Sequence, residues 1–251
     1  MLPYYSYTEF PVGPLTIHVW GLFVAFACLA AIFVTKKVAR MVNLNTAIIE
    51  ARTFWILIAS FIGAKIGYFI LYAQEKYWFE ILKVWEGGWS SMGGIAGGVV
   101  MGLAYAKKKM YGCSTWRAAD VMTVSFPLGF ALGRLGCASI HDHIGKLSSF
   151  WLAIQFPGGS RHDLGLYEAI LLFIFSAIFY TLLPKILKHE GLSARIVATG
   201  YAVIRFPLDF LRAEDILGAD ARYFSLTAAQ YACVIMVVLV WLPNIIKSKR
   251  V

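Results

Sequence analysis

The chain has 251 residues, 59% hydrophobic and only 15% charged, with a mean hydropathy of +0.68. Soluble domains carry about 25% charged residues, so this composition argues against one and for a polytopic membrane protein. The formal net charge of +9 does not point to nucleic acid, because the charges fall between apolar runs, where they report topology and attraction to anionic lipid. Cys28, Cys113, Cys137 and Cys233 are scattered and make neither a disulfide framework nor a CxxC metal pattern.

In chain order, a short aromatic segment, Met1–Gly13, precedes a first apolar run at about Leu15–Val34 that ends in Lys36, Lys37 and Arg40. A signal peptide carries its positive charges before its apolar core, so this run reads as a permanent helix. A second run covers about Ile48–Ala73 with Lys65 inside it, and Gln74–Gly88 has the mixed, aromatic character of an interfacial stretch. A third, about Trp89–Ala106, is studded with Gly93, Gly94, Gly97, Gly98 and Gly102, which allows close helix approach or passage near a ligand.

The fourth run, about Ala118–Cys137, contains Pro127. A polar segment, Ala138–Asp163, follows it, with a strand-like piece at Trp151–Phe156. Runs at about Gly165–Leu183, Arg195–Leu211 and Leu226–Ile246 complete the chain. Each span needs roughly 20 apolar residues. The reading is therefore one all-α integral membrane domain, 1–251, with about seven transmembrane helices. A small extracytoplasmic loop and strand segment, 138–165, lies between helices 4 and 5.

Charge bias orients it. With the N-terminus outside, the cytoplasmic segments hold Lys36, Lys37, Arg40, Lys107–Lys109, Arg117, Lys185, Lys188, Arg195, Lys247, Lys249 and Arg250, thirteen of the 23 basic residues. There is no repeat or inverted pair of broken helices, which weighs against a secondary transporter.

Polar chemistry concentrates at the outer end of the fourth run, where Gly133–Gly145 holds Arg134, Gly136, Cys137, His141, Asp142, His143 and Gly145. The sixth run brings Arg205, Asp209 and Arg212 to the same side at spacing i, i+4, i+7, which puts all three on one helical face. Arginines that keep their charge when buried suit bidentate binding of a phosphodiester. A buried Arg205–Asp209 ion pair that merely holds the sixth helix is the structural alternative. His141–Asp142–His143 can serve as a base with an orienting carboxylate. As metal ligands they lack a convincingly spaced third or fourth partner, His162 and Asp163 being the candidates, so neither metal nor cofactor is expected.

Several segments together resemble the prolipoprotein diacylglyceryl transferase family. They are Val12–Gly21, Gly63–Tyr68, Gly87–Ile95, Gly133–Gly145, Arg161-His162 with Leu166-Tyr167-Glu168, and Arg205–Asp215. The resemblance implies transfer of diacylglyceryl from phosphatidylglycerol to the lipobox cysteine of a prolipoprotein signal peptide. It further implies release of glycerol 1-phosphate at the outer face of the bacterial inner membrane, with partners that are lipids and prolipoproteins rather than nucleic acid. It assigns Arg134 and Arg205 to the phosphate, with His141, Asp142 and His143 nearby. Gly136, Gly145, Asp209 and Arg212 go to the head group, and Gly93, Gly94, Lys65, Arg161, His162 and Glu168 to supporting roles.

Departures from the family pattern are Met92 for the usual histidine, Cys137 for asparagine, Asp142 for glutamate, Trp20 for tyrosine and Lys65 for arginine. They leave the phosphate frame intact and alter the polar set facing the acceptor. A divergent acceptor, or lipid binding without catalysis, are the alternatives they raise.

Overall fold

A computed structural model describes residues 1–251 except 14, 72–80, 83–87, 109–111, 217–218 and 249–251. Most of the interfacial stretch expected over 74–88 therefore lies outside the described residues. So do Lys109, Lys249 and Arg250 of the charge pattern. The helices are α1 (Val19–Met41), α2 (Thr46–Leu71), α3 (Ser91–Lys107), α4 (Thr115–Thr123), α5 (Phe126–Ile140), α6 (Leu164–Ile186), α7 (Leu192–Leu208) and α8 (Ala228–Ser248).

By length and apolar composition, Val19–Met41, Thr46–Ile70, Thr115–Ile140 and Leu164–Ile186 can cross a membrane. The other three expected spans correspond to α3 and α7, of 17 residues each, and α8, apolar over Ala228–Leu242. These stretches fall short of the roughly 20 residues that a perpendicular span needs. Among the described residues the protein is accordingly mostly helical with four clear candidate spans.

Local sequence explains the boundaries. Ser90, Ser114 and Asp163 are N-caps whose side chains accept from Gly93 N, Arg117 N and Leu166 N, satisfying first-turn donors. The fourth run is divided into α4 and α5, because Pro127 lacks an N–H and fits the first turn of a new helix. The sixth run ends earlier than its apolar pattern. Pro207 occupies the last turn of α7, and a 3₁₀ turn, Asp209–Leu211, follows.

The chain forms two compact units. In Ile32–Val124, α2 and α3 pack backbone to backbone. A Cβ on Gly93 would lie 2.3 Å from the Gly63 carbonyl oxygen, and one on Gly97 2.3 Å from that of Ala59. The glycine-studded third run is thus a packing stripe, as small residues allow in lipid. Lys65 is 7% exposed here, its ammonium 5.3 Å from the Trp89 ring centre.

The second unit, Met1–Ala31 with Ser125–Val251, carries the strands. Between α5 and α6 lie β4 (Ile144–Leu147), β5 (Ile154–Phe156) and β6 (Gly159–Asp163). The strand expected from Trp151 begins only at Ile154, because Phe150–Ala153 closes a turn through Ala153 N–H to Phe150 O at 2.9 Å. An N-terminal strand, β1 (Leu2–Pro3), adds in parallel to β5, giving sheet order β1-β5-β6-β4. Two hairpins complete the unit: β2 (Glu9–Val12) with β3 (Leu15–His18), and β7 (Arg222–Tyr223) with β8 (Leu226–Thr227).

Candidate active site

Three helices of the second unit converge their charged side chains on one carboxylate. Glu168 enters from the second turn of α6 and is fully buried. Its Oε2 lies 3.1 Å from Arg134 Nε of α5 and 2.8 Å from Arg205 Nη1 of α7. Arg205 Nη2 reaches Asp209 Oδ1 at 2.7 Å. All four residues are no more than 5% exposed. Such a network persists away from water only because every charge has a partner.

Asp209 is held further by Thr227 Oγ1, which donates to Oδ2, and its carbonyl accepts from Arg222 Nη2 at 3.2 Å. The hairpin β7–β8 is thereby tied to the arginine cluster. Phe126, Phe130 and Tyr201 pack beside it with ring centres 4.9 to 5.3 Å apart, and the Arg134 guanidinium lies 5.0 Å over Phe130. These rings keep the local dielectric low, which strengthens any ionic contact made there.

Arg212 does not continue the helical face predicted at i+7, because the 3₁₀ turn intervenes. It pairs with Asp220 at 2.6 Å and approaches Asp209 only to 3.9 Å. Gly145 fixes this segment. It bridges to Arg212, and a Cβ on it would lie 2.6 Å from His162 Cβ and 2.8 Å from Leu211 O. Gly136 likewise gives α1 its close approach, with room for a Cβ only 3.0 Å from Phe23 Cβ.

The two histidines predicted as a pair do different jobs. His141 ends α5 in the left-handed conformation, with φ 53° and ψ 41°. Its Nδ1 lies 2.5 Å from Asp163 Oδ2 and its Nε2 3.1 Å from Tyr5 O. Both ring nitrogens are therefore engaged in clasping the N-terminal segment to the sheet. The left-handed residue reverses the chain and brings Asp142 and His143 back toward Cys137, one turn before the helix end.

Ligand-type atoms of Cys137, Asp142 and His143 all lie within 4.8 Å of one another. His143 Nδ1 is 3.2 Å from Asp142 Oδ1, and Cys137 Sγ is 3.9 Å from Arg134 Nη1. Burial, reinforced by Arg134, Arg212 and Arg205, holds the His143 imidazole well below its usual range, so it is neutral at pH 7. Burial pushes the Asp142 carboxyl up to about 6, against the pull of Arg134. Water tempers that push, since 38% of the side chain is exposed.

Arg161 pairs bidentately with Asp215, at 2.9 and 2.6 Å, and donates to Gly145 O at 3.2 Å. His162 Nδ1 lies 3.0 Å from Tyr167 Oη. Both support the walls of the site, while Lys65, Gly93 and Gly94 belong to the other unit. Sequence reasoning ranked Glu168 low, although a carboxylate early in an otherwise apolar helix was the available signal. It named Cys137 in the polar cluster but gave it no role. Asp220, Arg222 and Thr227 gave no signal, since their roles arise from a distant hairpin folding back.

Residues 8–245 match the family description "Prolipoprotein diacylglyceryl transferase". The chain is similar to proteins named phosphatidylglycerol–prolipoprotein diacylglyceryl transferase from several bacteria. One from Pasteurella multocida is 31% identical over 85% of this chain and 81% of its own. Another, from Geobacter sulfurreducens, is 30% identical over 89% of each chain. A third, from Ehrlichia canis, is 28% identical over 92% of this chain and 91% of its own. Four helices fit to cross a membrane and a match over nearly the whole length together make this an integral membrane protein that belongs to the prolipoprotein diacylglyceryl transferase family.

Proposed function

We propose that the protein transfers diacylglyceryl from phosphatidylglycerol to the lipobox cysteine thiol of prolipoproteins, releasing glycerol 1-phosphate. The observation that carries this reading is the buried Arg134–Glu168–Arg205–Asp209 network, which holds two permanent cations at the point where α5, α6 and α7 meet. Each guanidinium has five donors, and the contacts to Glu168, Asp209 and Cys137 use only some of them. The rest meet phosphate oxygens.

In the reaction, the acceptor sulfur forms a bond to the glyceryl carbon as that carbon's bond to the phosphate oxygen breaks. The electron pair leaves with glycerol phosphate, and Arg134 and Arg205 stabilise the charge that develops there. The thiol meets the site at the Cys137–Asp142–His143 end, where it loses its proton. The charge bias of the loops supports putting this chemistry at the outer face of the bacterial inner membrane. The N-terminus is outside, the C-terminus in the cytoplasm, and α3, α7 and α8 complete seven spans.

A second reading keeps the donor and changes the acceptor to a small molecule, lipid or water. It is favoured by Met92, which cannot exchange protons, standing where the family has histidine. Purified protein with labelled phosphatidylglycerol separates the readings. Release of glycerol phosphate that depends on a lipobox peptide supports the first, and release without peptide supports the second. Lipid binding with no release under either condition overturns both.

A further inference from the structure

We propose that Cys137, Asp142 and His143 form a site for a divalent transition metal, zinc by its ligand chemistry, whose open position takes the acceptor thiol. The role given to the thiol rests on the transfer reading above; the metal site itself does not. The three side chains offer one sulfur, one oxygen and one nitrogen within 4.8 Å of one another. That is the number and kind of protein ligands that catalytic zinc sites use, with a fourth position left open.

The spacing already suits the ion. Zinc–nitrogen and zinc–oxygen bonds of about 2.0–2.1 Å in a tetrahedron set neighbouring ligands about 3.3 Å apart. Asp142 Oδ1 and His143 Nδ1 are 3.2 Å apart. His143 Nδ1 is also shut off from solvent, and its approach to Asp142 Oδ1 is not aligned as a hydrogen bond. A thiolate with an imidazole favours zinc over magnesium or calcium, which prefer oxygen throughout.

Charge does not forbid the ion beside Arg134. A thiolate from Cys137 and the Asp142 carboxylate neutralise a divalent cation, while Glu168 already answers Arg134 at 3.1 Å. Arg134 Nη1, 3.9 Å from Cys137 Sγ, then donates to the ligand sulfur and helps hold it as thiolate. Asp142, at 38% exposure, leaves one side of the cluster open for an incoming thiol.

The chemistry balances. The acceptor thiol displaces a water from the ion and gives its proton to that water, since a coordinated thiol is deprotonated outright. The bound thiolate attacks the glyceryl carbon, the carbon–oxygen bond to phosphate breaks, and the electron pair departs with glycerol phosphate beside Arg134 and Arg205. The product thioether is neutral and a poorer ligand, so it leaves the ion.

The test titrates Co²⁺ into the purified, metal-stripped full chain in detergent and follows the near-ultraviolet band of a thiolate–cobalt bond. Expected is one equivalent bound with that band. The band should vanish in Cys137→Ser, and affinity should fall at least about tenfold in His143→Ala. Wild-type protein needs no variant to fold, and mass spectrometry should find zinc retained after dialysis and lost to a chelator. Chelation should lower peptide-dependent release about tenfold or more, with recovery on adding Zn²⁺ but not Mg²⁺. Wild type that shows no band and retains no zinc overturns the site, as does undiminished binding in the Cys137→Ser/His143→Ala double variant. Full transfer by metal-free protein overturns thiol activation while leaving the transfer reading intact. Metal bound at these residues without peptide-dependent transfer keeps the site and overturns the transfer reading.

Discussion

Replacing Glu168 by glutamine removes one negative charge from a point where two buried arginines meet and changes almost nothing in volume. Oε2 is 3.1 Å from Arg134 and 2.8 Å from Arg205, while Oε1 is buried without a hydrogen bond. The amide would keep one acceptor for the arginines and place its NH₂ where nothing accepts from it. Breaking a buried ionic network in this way costs about 3–5 kcal/mol. For a chain of this length that corresponds to roughly 6–20 °C in Tm.

The assay is thermal unfolding in detergent, with and without added phosphatidylglycerol. If the two arginines form the phosphate site, the anionic lipid should stabilise Glu168→Gln more than wild type, because its phosphate supplies the missing counter-charge. A zwitterionic lipid should not reproduce the difference. A variant unfolding within about 2 °C of wild type, with no preference for the anionic lipid, would refute the reasoning that one carboxylate holds both cations.

His141→Ala should act on the N-terminal segment rather than on proton transfer, since both ring nitrogens are spent on Asp163 and Tyr5. Leaving Asp163 without that partner should cost about 1–3 kcal/mol. It should also speed hydrogen exchange at the Leu2 and Tyr7 amides, which bond Ala153 O and Ser139 O; unchanged exchange there would sink the clasp. Asp142, with its carboxyl raised to about 6, binds more protons folded than unfolded at mildly acid pH. Its contribution is therefore full below about pH 4 and is lost as pH rises to about 6. Asp142→Asn should remove that part of the slope of Tm against pH, measured with chelator present; parallel curves for the two proteins would contradict it.

Much of the site was legible because charge is scarce in this chain. Arg134, Arg205 and Asp209 stand in apolar runs, where an unpartnered charge is costly, so their presence alone announced a cluster. The Arg205–Asp209 pair at 2.7 Å follows from helical spacing within α7 and the turn after it. Arg212 shows where that logic stops. Pro207 and the 3₁₀ turn end the helical register before it, so its partner is Asp220 and not the face that spacing implied.

By itself, then, the sequence determined the membrane class, the helical runs and the residues too polar to be there for packing alone. Those properties depend on local composition, which each segment carries with it. Tertiary structure decided the pairing. Glu168 became the anion shared by two arginines because α5, α6 and α7 meet at that depth. The adjacent histidines parted because one left-handed residue, His141, turned the chain between them. Cys137 gained Asp142 and His143 as neighbours by the same reversal. Distances between residues far apart in sequence are set by how helices pack, and no spacing along a single segment encodes them.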